Sequence, residues 1–346
     1  MAEKQQPSGL EVHELSDDPL ECWEEVKKTQ PVQEKVEPMP LDTPIYPDKV
    51  RFVVVSDTEG KTWPLRRKIP PGDVLLHCGD MSWDGDPNEI IRMNDDLGNA
   101  QDHPFKICIA GNHDLTFDPH FWWPRIGWQT CGDRWGLDVE ACHEWIRKDY
   151  GCEQMHELLS EHGNANWTYL FDSATEVYGI KIYGSPWQPI FGWWAFNERR
   201  GDRILYKWDK IPADTDILMT HGPPLGFCDE TRGKDRAGCA ELLTTIQKRV
   251  KPKYHCFGHI HEAYGQMTDG QTTFINAATC NLDRKPDNPP VIFDMPLPPG
   301  KTKEEYVEEK KKADVLKKEA WEKTKQERRK KWAEQRAAGT YRCYTH

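Results

Sequence analysis

Five times in this sequence a short apolar run stops on a cluster of Asp, Asn, His and Gly. The first is Arg51-Phe52-Val53-Val54-Val55 into Ser56-Asp57-Thr58-Glu59-Gly60. Val74-Leu75-Leu76-His77-Cys78 then runs into Gly79-Asp80, and Lys106-Ile107-Cys108-Ile109-Ala110 into Gly111-Asn112-His113-Asp114. Downstream, Ile217-Leu218-Met219-Thr220 leads into His221-Gly222, and Tyr254-His255-Cys256-Phe257 into Gly258-His259-Ile260-His261. Runs of this length and composition predict buried strands. Open α/β sheets bind ligands beyond the carboxyl ends of their strands. The pattern therefore predicts an α/β fold in which five strand ends deliver functional side chains.

The chain, at 346 residues, can bury one large core or two modest ones. Its net charge of −11 argues against a primary nucleic-acid binder. No signal peptide is visible, and no apolar run is long enough to span a membrane, so no membrane partner is expected. The eleven cysteines include no close Cys-x-x-Cys pair, and several fall in predicted strands. That usage predicts reduced, buried thiols in a cytoplasmic protein. With fifteen tryptophans, many are expected to be partly exposed or to line a cleft.

Along the chain, residues 1–47 read as an N-terminal extension and Pro-rich linker, 48–297 as the folded domain and 298–346 as a charged helical tail. In the extension, a short helix over 19–28 would put Cys22, Trp23 and Val26 on one face. Five prolines between Pro31 and Pro47 predict an extended linker or a strap over the domain. Within the domain, helices are expected from Pro87 to about Leu97, over 153–162 and over 235–250. Strands are expected at 105–110, 167–171, 176–183, 272–276 and 291–294. Residues 117–135 hold Phe117, Phe121, Trp122, Trp123, Trp128 and Trp135; they read either as a functional loop or as a lid packed on its own rings. The tail opens with a capping box, Thr302 to Glu305, and repeats acid four residues before base. Fourteen basic and nine acidic residues lie between Lys301 and Arg336. A solvated face is the first reading; docking of the 301–338 helix on the acidic body or on a protein partner is the second.

Asp57, Asp80, Asn112, His221, His259 and His261 together offer carboxylate, carboxamide and imidazole donors. Such a set suits divalent Mn, Fe, Zn or Ni better than Ca. One carboxylate can bridge two ions about 3.5–4 Å apart, lowering the pKa of a bridging water and clamping a phosphoryl centre. Single histidines carry no such weight: His13, His103, His120, His143, His156, His162 and His346 read as ordinary core or surface residues. Ser185, Trp187 and the 117–135 aromatics are candidates for a substrate wall, since a base stacked on a ring gains roughly 1–3 kcal/mol. Packing of the Ser185-Pro186-Trp187 turn is the alternative for Trp187.

These blocks resemble those of the calcineurin-like metallophosphoesterases. The likeness is closer to the branch of metallophosphoesterase-domain-containing proteins associated with cyclic-nucleotide phosphodiesterase activity. It is carried there by Gly184-Ser185-Pro186-Trp187-Gln188-Pro189, by Thr220-His221-Gly222-Pro223-Pro224-Leu225-Gly226 and by Gly258-His259-Ile260-His261-Glu262. The resemblance covers roughly residues 50–295. It implies a four-layer α/β/β/α sandwich of two mixed sheets, here with a long C-terminal helix. It implies two divalent ions, Mn foremost, with Fe, Zn or Mg as alternatives. Asp57, position 59 and His261 would hold the first, Asn112, His221 and His259 the second, with Asp80 as the bridge. His113 would sit by the leaving-group oxygen.

One position departs from the family pattern of Asp-x-His, because this chain has Glu59. Either Glu59 ligates and makes the first site harder, or it points away and the first ion is weak or absent. Asp84 is a candidate to orient His113, or else a turn carboxylate. The function expected is a metal-dependent phosphodiesterase acting on a cyclic nucleotide or other small diester. The alternatives are a phosphomonoesterase on the same scaffold and a catalytically weakened binding or scaffold protein that uses its helical tail.

Overall fold

The computed structural model describes residues 9–30, 32–119, 137–160 and 167–338. Its elements run α1 (Pro19–Val26), β1 (Glu34–Lys35), β2 (Lys49–Val55), α2 (Thr62–Leu65), β3 (Val74–Cys78), α3 (Pro87–Met93) and β4 (Phe105–Ile109). Then come α4 (Val139–Tyr150), β5 (Trp167–Tyr169), β6 (Ser173–Val177), β7 (Ile180–Ser185), β8 (Gln188–Pro189), β9 (Asn197–Glu198) and α5 (Asp202–Trp208). The chain continues through β10 (Ile217–Thr220), α6 (Ala240–Thr245), β11 (Tyr254–Phe257), β12 (Gly265–Thr268), β13 (Thr273–Asn276), β14 (Val291–Pro296) and α7 (Lys303–Ala337).

Two large mixed sheets result. One has the order β14-β2-β3-β4-β5 and is parallel except for β14. The other has the order β1-β12-β13-β11-β10-β7-β6, with β13, β11, β10 and β7 parallel at its centre. Alternation along each strand sets the layers. Phe52, Val54, Leu76, Ile107 and Ile109 share one core cluster with Ile182, Ile217, Met219, Cys256 and Ile275, which closes the sheets on each other. Their neighbours Val53, Val55, Leu75 and Cys108 face outward with Ile90, Met93 and Leu97 of the helical layer. On the second sheet Leu218, Phe257 and Phe274 face outward with Trp208, Leu242, Leu243 and Ile246. Strands buried on both faces read as unbroken apolar runs, which is why these were legible. The stacking is the expected α/β/β/α sandwich.

Several expectations needed correction. The apolar stretch 176–183 is not one strand but parts of β6 and β7, folded back at Tyr178 and Gly179, which have φ 53° and 74°. Two successive positive φ angles match the twist of a hairpin. The helix expected over 153–162 is a 3-10 segment, Met155–Ser160, and the one over 235–250 starts at Ala240. Residues 120–136 and 161–166, with Phe121, Trp122, Trp123, Trp128 and Trp135, lie outside the described residues.

The extension is a strap. Trp23 of α1 is buried against Phe227, and β1 adds an antiparallel edge strand to β12. The tail is docked rather than solvated all round. Tyr306 packs edge-on against Tyr178, Val307 packs on the inter-sheet cluster, and Trp321, midway along the helix, packs on the other core cluster. Ion pairs Lys303–Asp73 at 2.7 Å and Arg328–Glu157 at 3.0 Å fix the helix at two points. The nine described cysteines are free thiols, so no disulfide among them braces the core. Among the described residues no helix is long and apolar enough to cross a membrane.

Candidate metal centre

The parallel strands of both sheets end on the same side, and an isolated bridge from Ser56 to Ala278 ties the sheets together there. Beyond β2 and β3 the backbone stays paired: Asp57, Glu59 and Gly60 donate their N–H groups to Gly79, Asp80 and Met81. To aim their side chains back over the strand ends, Asp57, Glu59, Asp80 and His259 adopt φ of 49°, 46°, 53° and 68°. That region is costly for a residue with a Cβ, and such residues gather at functional sites.

The glycines of the motifs have a steric reason. A Cβ on Gly258 would lie 1.8 Å from Asp57 Oδ2, one on Gly111 2.3 Å from Asp80 Oδ1, and one on Gly79 2.6 Å from His221 Nδ1. Each therefore makes room for a neighbouring acid or imidazole.

Asp80, His221 and His259 bring one ligand atom each to within 4.8 Å of one another; among the described residues they are the group of His, Cys, Asp or Glu that does so. His221 Nδ1 donates to the Cys78 carbonyl at 3.0 Å, which leaves Nε2 facing Asn112 Oδ1 at 2.9 Å and Asp80 Oδ2 at 3.3 Å. A backbone acceptor on one ring nitrogen is the usual way to present the other to a metal. Asp80 also accepts from the His113 N–H at 2.8 Å. On the other flank His261 Nδ1 donates to Asn281, and Nε2 lies 3.3 Å from Asp57 Oδ1 and 3.6 Å from Glu59 Oε1. Both Asp57 oxygens accept from the His259 N–H at 3.0 Å. The seven predicted residues thus fall into two neighbouring groups, Asp80, Asn112, His221 and His259 on one side and Asp57, Glu59 and His261 on the other. The oxygen and imidazole donors of buried Asp80, Asn112 and His221 and half-buried His259 suit a divalent ion.

Burial pushes the pKa of His221 down, yet the charge and hydrogen bond of Asp80, with Asp57, raise it to about 9. Burial is likewise outweighed at His261, where Asp57 lifts the pKa to about 9. Burial works against charge on Asp57 and Asp80 too, but His261 and His221 respectively hold their carboxyls below the usual range. His259 goes the other way: burial and the nearby His221 lower it to about 3, so it is a neutral donor.

His113 lines the cavity above these groups and donates from Nδ1 to the Trp83 carbonyl at 2.6 Å. The Trp194 ring lies 4.0 Å from it. Asp84 accepts instead from the Asp86 N–H at 3.3 Å, as a turn carboxylate does. Asp114, quoted in the motif without a role, is the clamp between two loops. It accepts from Gly111 N–H, Ser82 N–H and Ser82 Oγ at 2.8, 2.9 and 2.6 Å.

The cavity measures about 610 Å³. Ser185 and Trp187 do not line it; Ser185 Oγ and Trp187 Nε1 both donate to Asp172, at 2.8 and 3.1 Å. The same segment supplies Pro189, Ile190 and Phe191 to the wall, and the last two are largely exposed. Arg200, Arg236 and Arg284 also line it. These were missed because loop residues show no periodic pattern.

Residues 50–263 match the profile of the calcineurin-like phosphoesterases. A Caenorhabditis elegans relative, UPF0046 protein C25E10.12, is 45% identical over 299 residues, which is 85% of this chain and 98% of that protein. The human metallophosphoesterase domain-containing protein 1 is 43% identical over 295 residues, covering 84% of this chain and 86% of its own length.

Proposed function

Since the chain belongs to the calcineurin-like phosphoesterase family, we propose that it is a divalent-metal-dependent phosphodiesterase acting on a cyclic nucleotide or another small diester. The observation that carries this reading is the closeness of Asp80, His221 and His259, with Asn112 Oδ1 2.9 Å from His221 Nε2, at a cavity that Asp80, Asn112, His259 and His261 line. Divalent ions bound there, Mn foremost, would supply Lewis-acid charge for a phosphoryl oxygen and make a water nucleophilic at neutral pH. Asp80, Asn112, His221 and His259 hold and orient. His113, fixed through Nδ1 by the Trp83 carbonyl, keeps its other nitrogen for the leaving-group oxygen. The exposed Phe191, edge-on to His259 at 5.6 Å, offers a ring on which a base can stack.

The test is turnover on a panel of cyclic nucleotides, acyclic diesters and monoesters, using ion-free protein and protein reconstituted with Mn, Fe, Zn or Mg. The expected result is diester hydrolysis that vanishes on chelation and returns with Mn. Faster turnover of monoesters than of every diester would overturn the substrate class. Ion binding without turnover of any ester would identify a binding protein.

A further inference from the structure

Glu59 is already committed to cations of the chain itself. Its side chain is enclosed, Oε1 is in direct contact with Arg284 Nη1, and Oε2 accepts from Lys61 Nζ at 3.3 Å. The same Oε1 is the atom that lies 3.6 Å from His261 Nε2, so it is the one an ion between these residues would need. Asp57, Glu59 and His261 do not form a group with the closeness of Asp80, His221 and His259, the group found among the described residues.

Arg284 is delivered by a shaped loop. It has φ 58°, and its N–H donates to Asn281 O at 2.9 Å. Asn281 Oδ1 accepts from Asp283 and Lys285, and Asn281 O also accepts from His261. The guanidinium lies 5.1 Å from the Trp83 ring centroid, and the Lys61 ammonium lies 5.4 Å from it. Trp83 is therefore a shelf for both cations, and its carbonyl is the group that fixes His113. Arg284 remains 44% exposed and lines the cavity beside Asp80, Asn112 and His113.

We propose that Arg284 takes the place of one of the two cations of this centre. A single divalent ion is then held by Asp80, Asn112, His221 and His259, and the guanidinium on Glu59 supplies the second positive charge to the phosphoryl oxygens. This deepens the phosphodiesterase reading and rests on it. A guanidinium is always charged, presents a planar fork that matches two phosphate oxygens, and is far less demanding of ligands than a metal ion.

The stoichiometry of Mn in the full-length protein tests this, read by elemental analysis and by the electron paramagnetic resonance spectrum. The expected result is one ion per chain with an uncoupled six-line signal. Two ions with a spin-coupled signal would overturn the proposal. The paired substitution Glu59→His with Arg284→Ala should raise the count toward two; a count that stays at one contradicts the proposal. Arg284→Ala alone should raise KM for bis-para-nitrophenyl phosphate by about 10- to 100-fold, the cost of a lost charge-assisted contact. An unchanged KM contradicts the role in substrate binding. One bound ion with no ester turnover would count against the phosphodiesterase reading, whereas turnover with two ions would count against this proposal alone.

Discussion

His221 carries the clearest consequence of the site's electrostatics. In the ion-free protein its pKa of about 9 is above the ordinary value, raised by Asp80 and Asp57 against burial. A raised histidine contributes stability that is complete below its unfolded value near 6.5 and is lost as pH rises through about 9. His261 has the same sign, with a pKa of about 9. The melting temperature of ion-free protein is therefore expected to fall between pH 6.5 and 9. Ion binding on the His221 Nε2 displaces that proton, so Mn affinity should rise with pH over the same interval. Calorimetric scans and Mn titrations at several pH values check both; affinity independent of pH would mean that His221 is no ligand. Asp80→Asn should lower turnover by more than about 100-fold, the upper figure for groups that merely orient a ligand. His156→Ala serves as the control, because His156 is stacked on Tyr169 away from the site. Equal losses at Asp80 and His156 would remove Asp80 from the reaction.

Among the elements, α1 and α7 show what the sequence could and could not say. Trp23 lies against Gly226, where a Cβ would stand 2.1 Å from the ring, and Arg236 of the cavity wall lies 5.3 Å from its centroid. The strap therefore backs the wall of the site. Trp23→Ala is expected to cost about 3–5 kcal/mol of stability, the range for deleting a large buried ring. Urea unfolding measures this; a loss under about 1 kcal/mol would mean that the strap contributes little packing. α7 was legible as a helix from its capping box, and Thr302 and Glu305 do make it. Its docking was only the second reading of the sequence, since Tyr306, Val307 and Trp321 are too sparse to form a periodic stripe and their partners lie far off in sequence. Removing residues 301–346 should leave the ion stoichiometry unchanged and lower the melting temperature by on the order of 5 °C, because exposed ion pairs add little and the apolar contacts at Tyr306 and Val307 add more. A truncated protein that binds no ion would show that the tail shapes the site.

For the molecule as a whole, the strand ends were readable because each motif is local: an apolar run names the strand, and the glycine beside the acid names the tight approach. Three of those motifs hold Asp80, His221 and His259, which the fold brings together. What stayed hidden is non-local. Arg284 meets Glu59 across 225 residues, and nothing around either position marks the pair. Trp187 carried the obvious aromatic signal yet serves packing with Asp172, while Phe191, four residues on, reaches the cavity. The turn carboxylate Asp84 and the clamp Asp114 look alike in sequence; only the fold separates one that caps a turn from one that joins two loops. Everything proposed for this protein depends on the ends of strands from both sheets building a centre around Asp80 that holds a divalent ion. Anomalous scattering from a crystal of the Mn-loaded protein tests it most directly. The expected result is a peak in contact with Asp80, Asn112, His221 and His259. A fully loaded crystal whose manganese lies away from Asp80 would contradict it.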